Sequence, residues 1–146
     1  MTVALSGSEI AKQVEEKFPG SVVESGVDSL LVKADSLLEI ASYLKTTAGL
    51  DFDYLTAITA VDYYGYFEVV YQLTSMKHNH SLVVKTRCYN RDNPTLPSVV
   101  GLWRGADFQE REIYDLFGIS FDGHPNLKRI VLWEGFDGHP LRKDFL

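Results

Sequence analysis

Cysteine is nearly absent from this chain of 146 residues, in which Cys88 is the only one. One thiol cannot close an internal disulfide, hold an iron–sulfur cluster or complete a structural zinc site. No apolar run reaches the roughly eighteen residues of a membrane-spanning helix, and residues 1–7 lack the features of a signal peptide. We therefore expect a reducing compartment and contact with a membrane only through partner proteins.

Basic residues are also in the minority: 14 Lys and Arg stand against 20 Asp and Glu, which gives a formal net charge of −6. Binding to phosphates needs a surplus of basic side chains, so nucleic acid is not expected as a partner. No glycine-rich phosphate loop of the Rossmann or Walker type appears, which argues against binding of NADH or ATP by this chain.

The periodicity of apolar residues predicts an α+β fold in residues 1–120. Ser6 and Glu9 have capping-box spacing and open a first helix, and a second helix is expected within residues 35–49. Two short strands lie between these helices and three longer strands follow, the last of them around residues 80–89. This order is typical of a mostly antiparallel sheet with helices on one side.

Residues 121–146 differ from the rest of the chain. They combine turn-forming Gly and Pro with dense charge, and they show neither a helical nor an alternating period. A structureless segment of this length is uncommon inside a compact domain and is usually functional or bound to a partner. Its apolar side chains, Trp133 among them, need a surface that covers them. We predict an extended C-terminal arm that binds a partner.

A short charged helix is predicted for residues 108–117, with capping-box spacing at its start. Arg111 and Asp115 are spaced i,i+4, which predicts an exposed ion pair opposite the apolar stripe. Glu110 and Glu112 border that stripe, where carboxylates are costly unless cations or donors meet them. They diverge by about 200° around the helix, so they cannot act together as general acid and base. We predict that they anchor the helix to basic groups of this chain or of a partner.

The charged helix and the arm resemble one known family. The run Glu110-Arg111-Glu112, then Asp115-Leu116-Phe117, then His124, Lys128, Ile130 and Val131, matches the signature of the 30 kDa subunit of respiratory complex I. It is also known as the C subunit, or as the J subunit in plastids and cyanobacteria. The continuation from Trp133 to Asp144 is similar to the tail of the same family, whose members commonly extend further. A dozen or more positions at fixed spacing are far more specific than a short motif.

The resemblance implies a non-catalytic structural subunit in the peripheral arm of a proton-pumping NADH:quinone oxidoreductase, with a ferredoxin-like sheet. The subunit would lie on the cytoplasmic, matrix or stromal side, against the large quinone-site subunit and the subunit that holds the terminal iron–sulfur cluster. FMN, iron–sulfur clusters and quinone would bind to partner subunits, and no cofactor to this chain. The residues expected to contact partners are Glu110, Arg111, Glu112, Asp115, His124, Lys128, Arg129, Trp133, His139, Arg142 and Lys143.

Two alternatives to this function stay open. An equivalent subunit occurs in membrane-bound hydrogenases and in ferredoxin- or deazaflavin-linked quinone reductases, and the signature does not distinguish the electron donors. The run Phe-Asp-Gly-His-Pro occurs at residues 121–125 and again at residues 136–140. Its His and Asp side chains could bind a metal in a free-standing enzyme, although Asp-Gly followed by Pro also simply forms turns.

Four further residues have more than one interpretation. His78 and His80 alternate at the start of a strand, where they form either a metal pair or an ordinary exposed strand end. Cys88 lies on the apolar face of a strand, which indicates a core group and not a nucleophile. Trp103 is large enough to anchor an interface, but it could equally pack in the core.

Overall fold

The structure is a computed structural model that describes residues 2–133 and 137–143. It confirms the predicted α+β class and the first predicted helix start, where the Ser6 hydroxyl accepts the Glu9 N–H at 3.4 Å. A 3-10 turn, Ala34–Ser36, leads into the second helix. The helices are α1 (Gly7–Lys17), α2 (Leu37–Thr46) and α3 (Ala106–Phe117). The strands are β1 (Val3–Ala4), β2 (Val22–Ser25), β3 (Ser29–Val32), β4 (Tyr54–Asp62), β5 (Phe67–Ser75), β6 (His80–Cys88), β7 (Thr95–Pro97) and β8 (Ser120–Asp122).

The main sheet has the strand order β2-β3-β6-β5-β4, and β1 pairs with the first residues of β6, ahead of the part of β6 that pairs with β3. The β2–β3, β4–β5 and β5–β6 pairs are antiparallel, whereas β6 runs parallel to β3 and to β1. The sheet is therefore mixed but mostly antiparallel, as predicted. The chain order β1-α1-β2-β3-α2-β4 is that of a ferredoxin-like unit, but the strand pairing differs, because β1 and β3 both pair with β6 and β4 pairs with β5.

The core lies between one face of this sheet and the three helices. Leu82, Val84 and Cys88 alternate along β6 and are buried, together with side chains from each of α1, α2 and α3. Because all three helices contribute to one core, they lie on one side of the sheet, as predicted. Burial raises the pKa of the Cys88 thiol to about 11, which fits a small core group. Trp103 is also a core residue, and its indole N–H donates to the Phe52 carbonyl at 3.0 Å.

A second, two-stranded sheet pairs β7 with β8 in parallel. The sequence did not predict it, because three-residue strands are too short to show a period. Phe121 in β8 is 2% exposed and belongs to the core, so the predicted boundary at residue 121 falls inside a strand. The described residues after Asp122 contain no helix or strand. Their independence as an arm stays a prediction. Among the described residues, no helix has the length and hydropathy needed to cross a bilayer.

Candidate partner-binding site

Helix α3 is the element around which the predicted site residues gather. It begins at Ala106 after Gly105 and ends at Phe117, and the following Gly118, with a φ of 77°, is a left-handed C-cap. The predicted capping box at residues 107–110 is wrong, since no side chain caps the helix start. The helix stop at Gly118 is confirmed, and the start lies two residues earlier than predicted.

Glu110 is fully buried and holds the loop that precedes α3. Its carboxylate accepts the Ser98 hydroxyl at 2.6 Å and the Val99 N–H at 2.9 Å. Burial raises the pKa of Glu110, and these two hydrogen bonds oppose that shift. The prediction that donors meet this carboxylate is thus confirmed, but they belong to residues 98–99 and not to the predicted cations. Because the Glu110 side chain is buried within the fold, direct contact with a partner is not favoured.

Asp115 is also fully buried, and it organises the segment that follows β8. Its Oδ2 atom accepts the N–H groups of Ile130, Val131 and Leu132 at 3.1, 2.8 and 2.8 Å. Its Oδ1 atom accepts from the Arg129 guanidinium at 3.0 Å. Burial raises the pKa of Asp115, but the three N–H groups and Arg129 outweigh burial, and the pKa lies below its ordinary value. The predicted exposed ion pair with Arg111 is therefore wrong.

Arg111 contacts the same segment through backbone carbonyls. Its Nε donates to the Lys128 carbonyl at 3.2 Å, and an Nη donates to the Arg129 carbonyl at 3.5 Å. The guanidinium carbon lies 5.6 Å from the centre of the Phe108 ring. Arg111 and Asp115 therefore act on neighbouring residues of one segment from the same side of α3, where their i,i+4 spacing places them. Lys128 and Glu112 have exposed side chains.

The two copies of the Phe-Asp-Gly-His-Pro run lead to opposite ends of α3. His124 accepts the Asn126 N–H at Nδ1, so its Nε2–H donates to the Asp107 carbonyl at 3.2 Å, and Nε2 lies 3.0 Å from the Asp107 carboxylate. His139 Nδ1 donates to the Asp115 carbonyl at 2.8 Å. Eight helical residues separate these contacts, or about 12 Å along the axis. The two imidazoles are therefore not brought together as ligands of one metal, and residue 136 lies outside the described residues.

The C-terminal end of α3 is covered by the second copy. Arg142 Nε donates to the Phe117 carbonyl. A Cβ added to Gly118 would lie 2.7 Å from the His139 ring and 3.1 Å from the Arg142 guanidinium. A side chain at position 118 would meet these groups as well as the unfavourable positive φ. Glycine at this position therefore permits the close approach of His139 and Arg142.

Sequence reasoning missed Asp62, which fixes the end of the described segment. Its carboxylate pairs with both terminal nitrogens of Arg91 and accepts the N–H groups of Tyr64 and Lys143, each at 2.8 Å. The Arg91 hydrogen bond is the main reason that the pKa of Asp62 lies well below its ordinary value. The Lys143 ammonium lies 4.6 Å from the Tyr64 ring centre. The signal in the sequence that could have identified Asp62 is its position at the start of the turn Asp62-Tyr63-Tyr64-Gly65.

The other histidines have local structural partners. The His78 and His80 rings stack with their centres 5.4 Å apart. Nε2 of His78 lies 2.6 Å from the Asp51 carboxylate, and Nε2 of His80 lies 2.7 Å from the Leu50 carbonyl. His80 is buried, so the expectation of an exposed strand end applies only to His78. In the described part of the chain, no cluster of three or more His, Cys, Asp or Glu could hold a metal.

The similarity to known proteins includes the whole of α3 and the segment after it. A family model described as "Respiratory-chain NADH dehydrogenase, 30 Kd subunit" matches residues 30–146. The chain belongs to this family. It is 44% identical to the NADH-quinone oxidoreductase C subunit of Moorella thermoacetica over 138 residues, covering 92% of this chain and 91% of the relative.

Other members of the 30 kDa subunit family are longer than the part that matches. Identity to the second NADH-quinone oxidoreductase C subunit of Rhizobium meliloti is 42% over 82% of this chain, which spans 66% of that relative. A chain in the structure of the membrane-bound sulfane sulfur reductase, an archaeal respiratory membrane complex, has the same fold. It superposes with a TM-score of 0.75 at 32% identity, covering 94% of this chain and 84% of the other.

Four of the exposed apolar side chains of this 30 kDa family member lie on α3 and within residues 130–133. Their exposed fractions are 61% for Phe108, 39% for Ile130, 58% for Val131 and 70% for Trp133. We call these four residues the α3 patch. Arg111 connects its parts, since it stacks near Phe108 and binds the carbonyls just before Ile130. Large exposed apolar side chains on an ordered support are typical of a protein interface.

Proposed function

We propose that this chain is a non-catalytic structural subunit in the peripheral arm of a proton-translocating NADH:quinone oxidoreductase. The α3 patch is the observation that supports the proposal best. Asp115 fixes the backbone of residues 130–132 beside it, so the apolar side chains are displayed and not buried. An interface that is ordered before binding loses less conformational entropy when a partner docks.

The proposed partners are the large subunit of the quinone site and the subunit with the terminal iron–sulfur cluster. In this arrangement, FMN, iron–sulfur clusters and quinone bind to those and other subunits. The chain occupies the cytoplasmic face of the cell membrane, or the equivalent matrix or stromal face, and reaches the membrane through its partners. The names of relatives such as the Moorella thermoacetica protein support this assignment.

A structural role also agrees with how the buried carboxylates are used. Glu110, Asp115 and Asp62 each accept two or more hydrogen bonds from groups of this chain. A general acid or base needs to reach a substrate proton directly or through one water. These three groups are instead used to fix loops and the C-terminal segment.

A second assembly is favoured by one observation. The structural likeness to a chain of the membrane-bound sulfane sulfur reductase shows that the fold also occurs in a different respiratory complex. The equivalent subunit of a membrane-bound hydrogenase or of a ferredoxin- or deazaflavin-linked quinone reductase is therefore the alternative. The α3 patch serves either assembly, because it contacts a partner surface and not the electron donor.

Co-purification with the proposed partners tests this function. We would co-express the chain with the quinone-site and iron–sulfur subunits from the same organism and measure the complex on native gels. Val131→Asp and Trp133→Ala should each weaken assembly by about 2–4 kcal/mol if they are interface anchors. Val27→Asp is the matched control, because Val27 is 92% exposed at the β2–β3 turn, away from the patch.

The outcomes separate the candidates. Loss of assembly in the patch variants with an unchanged Val27→Asp variant supports the proposal. Normal assembly of both patch variants would contradict the proposed docking surface. Assembly only with subunits of a hydrogenase or of a sulfur reductase would favour the alternative complex.

A further inference from the structure

A groove separates α3 from β4, which is the last strand of the main sheet. Its volume is about 200 Å³, and its lining is mostly apolar. Ala60 contributes only a methyl group, which leaves the strand edge accessible from this side. The apolar lining consists of Ile58, Ala60, Ile113, Leu116, Phe117 and Leu141.

The backbone of β4 turns hydrogen-bonding groups toward this groove. The Ile58 N–H donates to the Gln109 side-chain carbonyl at 2.6 Å, so it points away from β5. The Tyr63 N–H donates to the Tyr66 carbonyl at 2.9 Å. The N–H groups of an antiparallel strand alternate between pointing toward the neighbouring strand and away from it, so this bond identifies which N–H groups of β4 face β5. With a period of two, the Ala60 N–H also points away from β5. Within residues 2–133 and 137–143, no side chain or loop accepts it.

Both ends of this edge are occupied. Gln109 covers it at Ile58, and the Lys143 N–H bonds to the Asp62 carboxylate at the other end. Between them, an incoming strand has room for about three or four residues at roughly 3.3 Å each. Unpaired edges of this kind template the addition of a strand. The edge therefore offers a short, defined place for an extended segment.

The charge at the rim indicates what that segment contains. Glu112 is exposed and lines the groove, and no described residue forms an ion pair or hydrogen bond with it. It lies one helical turn from Phe108, so the groove is continuous with the α3 patch. An apolar floor with one unpaired carboxylate at its rim is complementary to an apolar segment that has one basic residue.

We propose that an extended segment of a partner subunit pairs with β4 as an added strand, with apolar side chains toward α3 and a Lys or Arg at Glu112. The Ala60 N–H donates to a carbonyl of this segment, and the Ala60 carbonyl accepts an N–H from it. This inference rests on the proposed function, because the partner is another subunit of the same assembly. The inference specifies the chemistry by which the partner subunit contacts β4.

Variants at Ala60 and Glu112 test the added strand in the full chain. Ala60→Pro removes the N–H that points into the groove, whereas Ala60→Ser retains it and is the matched control. We expect Ala60→Pro to weaken the complex with the co-expressed partner subunits about tenfold or more, and Ala60→Ser to leave it within about twofold. Glu112→Lys should weaken it about tenfold, and the exposed control Glu39→Lys should not.

Hydrogen exchange gives a second, independent measurement. The Ala60 amide should exchange rapidly in the chain alone and at least about 100-fold more slowly in the assembled complex, because strand pairing protects it. Thermal melting of each variant alone identifies any loss of folding. If Ala60→Pro fails to fold, the Glu112→Lys result and the Ala60 exchange rate decide the matter.

Two failures are distinguishable. If the wild-type chain does not assemble with the proposed partners, the proposed function fails and the inference fails with it. If it assembles, but the Ala60 amide stays unprotected and Glu112→Lys binds like wild type, the docking function stands and the added strand is overturned.

Discussion

The sheet with its helices and the segment after β8 are stabilised by different interactions. In the first region, side chains such as Leu82 and Val14 are almost wholly buried, so the stabilisation scales with apolar area. In the second, Val131 and Trp133 stay exposed, and the backbone is held by the carboxylates of Asp115 and Asp62. The second region therefore depends on a few directional bonds to charged groups, and it should open locally without unfolding the first.

The largest effect is expected from a cavity in the first region. Leu82→Ala removes a side chain that is 1% exposed at the centre of β6. We expect the free energy of unfolding to fall by about 2–5 kcal/mol, because both transfer energy and packing are lost. Urea denaturation measures this change. We expect a single unfolding transition that shifts to a lower urea concentration. A loss of stability confined to the segment after β8 would contradict this expectation.

A smaller and local effect is expected from Asp115→Ala. The change removes the acceptor of three N–H groups and of the Nη1 atom of Arg129, which costs about 1–3 kcal/mol in this segment. Hydrogen exchange should become faster at Ile130–Leu132 while the amides of β5 and β6 keep their protection. Asp35→Ala, at an exposed carboxylate, is the control. Equal loss of protection in the sheet would show that the two regions are not separable.

The smallest effect is expected from acid. The pKa values of Asp115 and Asp62 are lowered in the folded chain, so their contribution is present above the ordinary value of 3.8 and is lost as pH falls through the folded values. The pKa of Glu110 is raised, so its contribution to stability is present at low pH and is lost as pH rises through the folded value.

We therefore expect the segment after β8 to loosen before the sheet does, as pH is lowered below about 4. Fluorescence of the exposed Trp133 reports on the segment, once the signal of Trp103 has been assigned with a Trp133→Phe variant. The Asp115→Asn variant should lack most of the transition. A transition of unchanged size in that variant would exclude Asp115 as its cause.

The three longest strands of the sheet, β4, β5 and β6, could be predicted because each has nine residues, enough to show a pattern. The burial of every second residue in β6 follows directly from the order of apolar and polar residues in the sequence. The capping side chain at Ser6 was predictable for the same kind of reason, since its partner lies three residues away. Local spacing was sufficient in both cases.

The arrangement around α3 could not be predicted in this way. Arg111 and Asp115 have ideal spacing for a pair, yet Arg129 binds Asp115 from fourteen residues away. Helical spacing identifies which groups can meet on one surface, but a segment that covers the helix decides which of them become buried. The same limit applies to Glu110, whose partners Ser98 and Val99 precede the helix in an irregular loop.

The burial of Cys88 has a practical consequence. It is the only cysteine of the chain, and a thiol whose pKa is raised to about 11 has very little thiolate at neutral pH. Maleimides and other thiol reagents should therefore ignore it in the folded state. A cysteine introduced on the surface, for example by Glu112→Cys, would then carry a fluorophore or a cross-linker at one defined position without removal of the native residue.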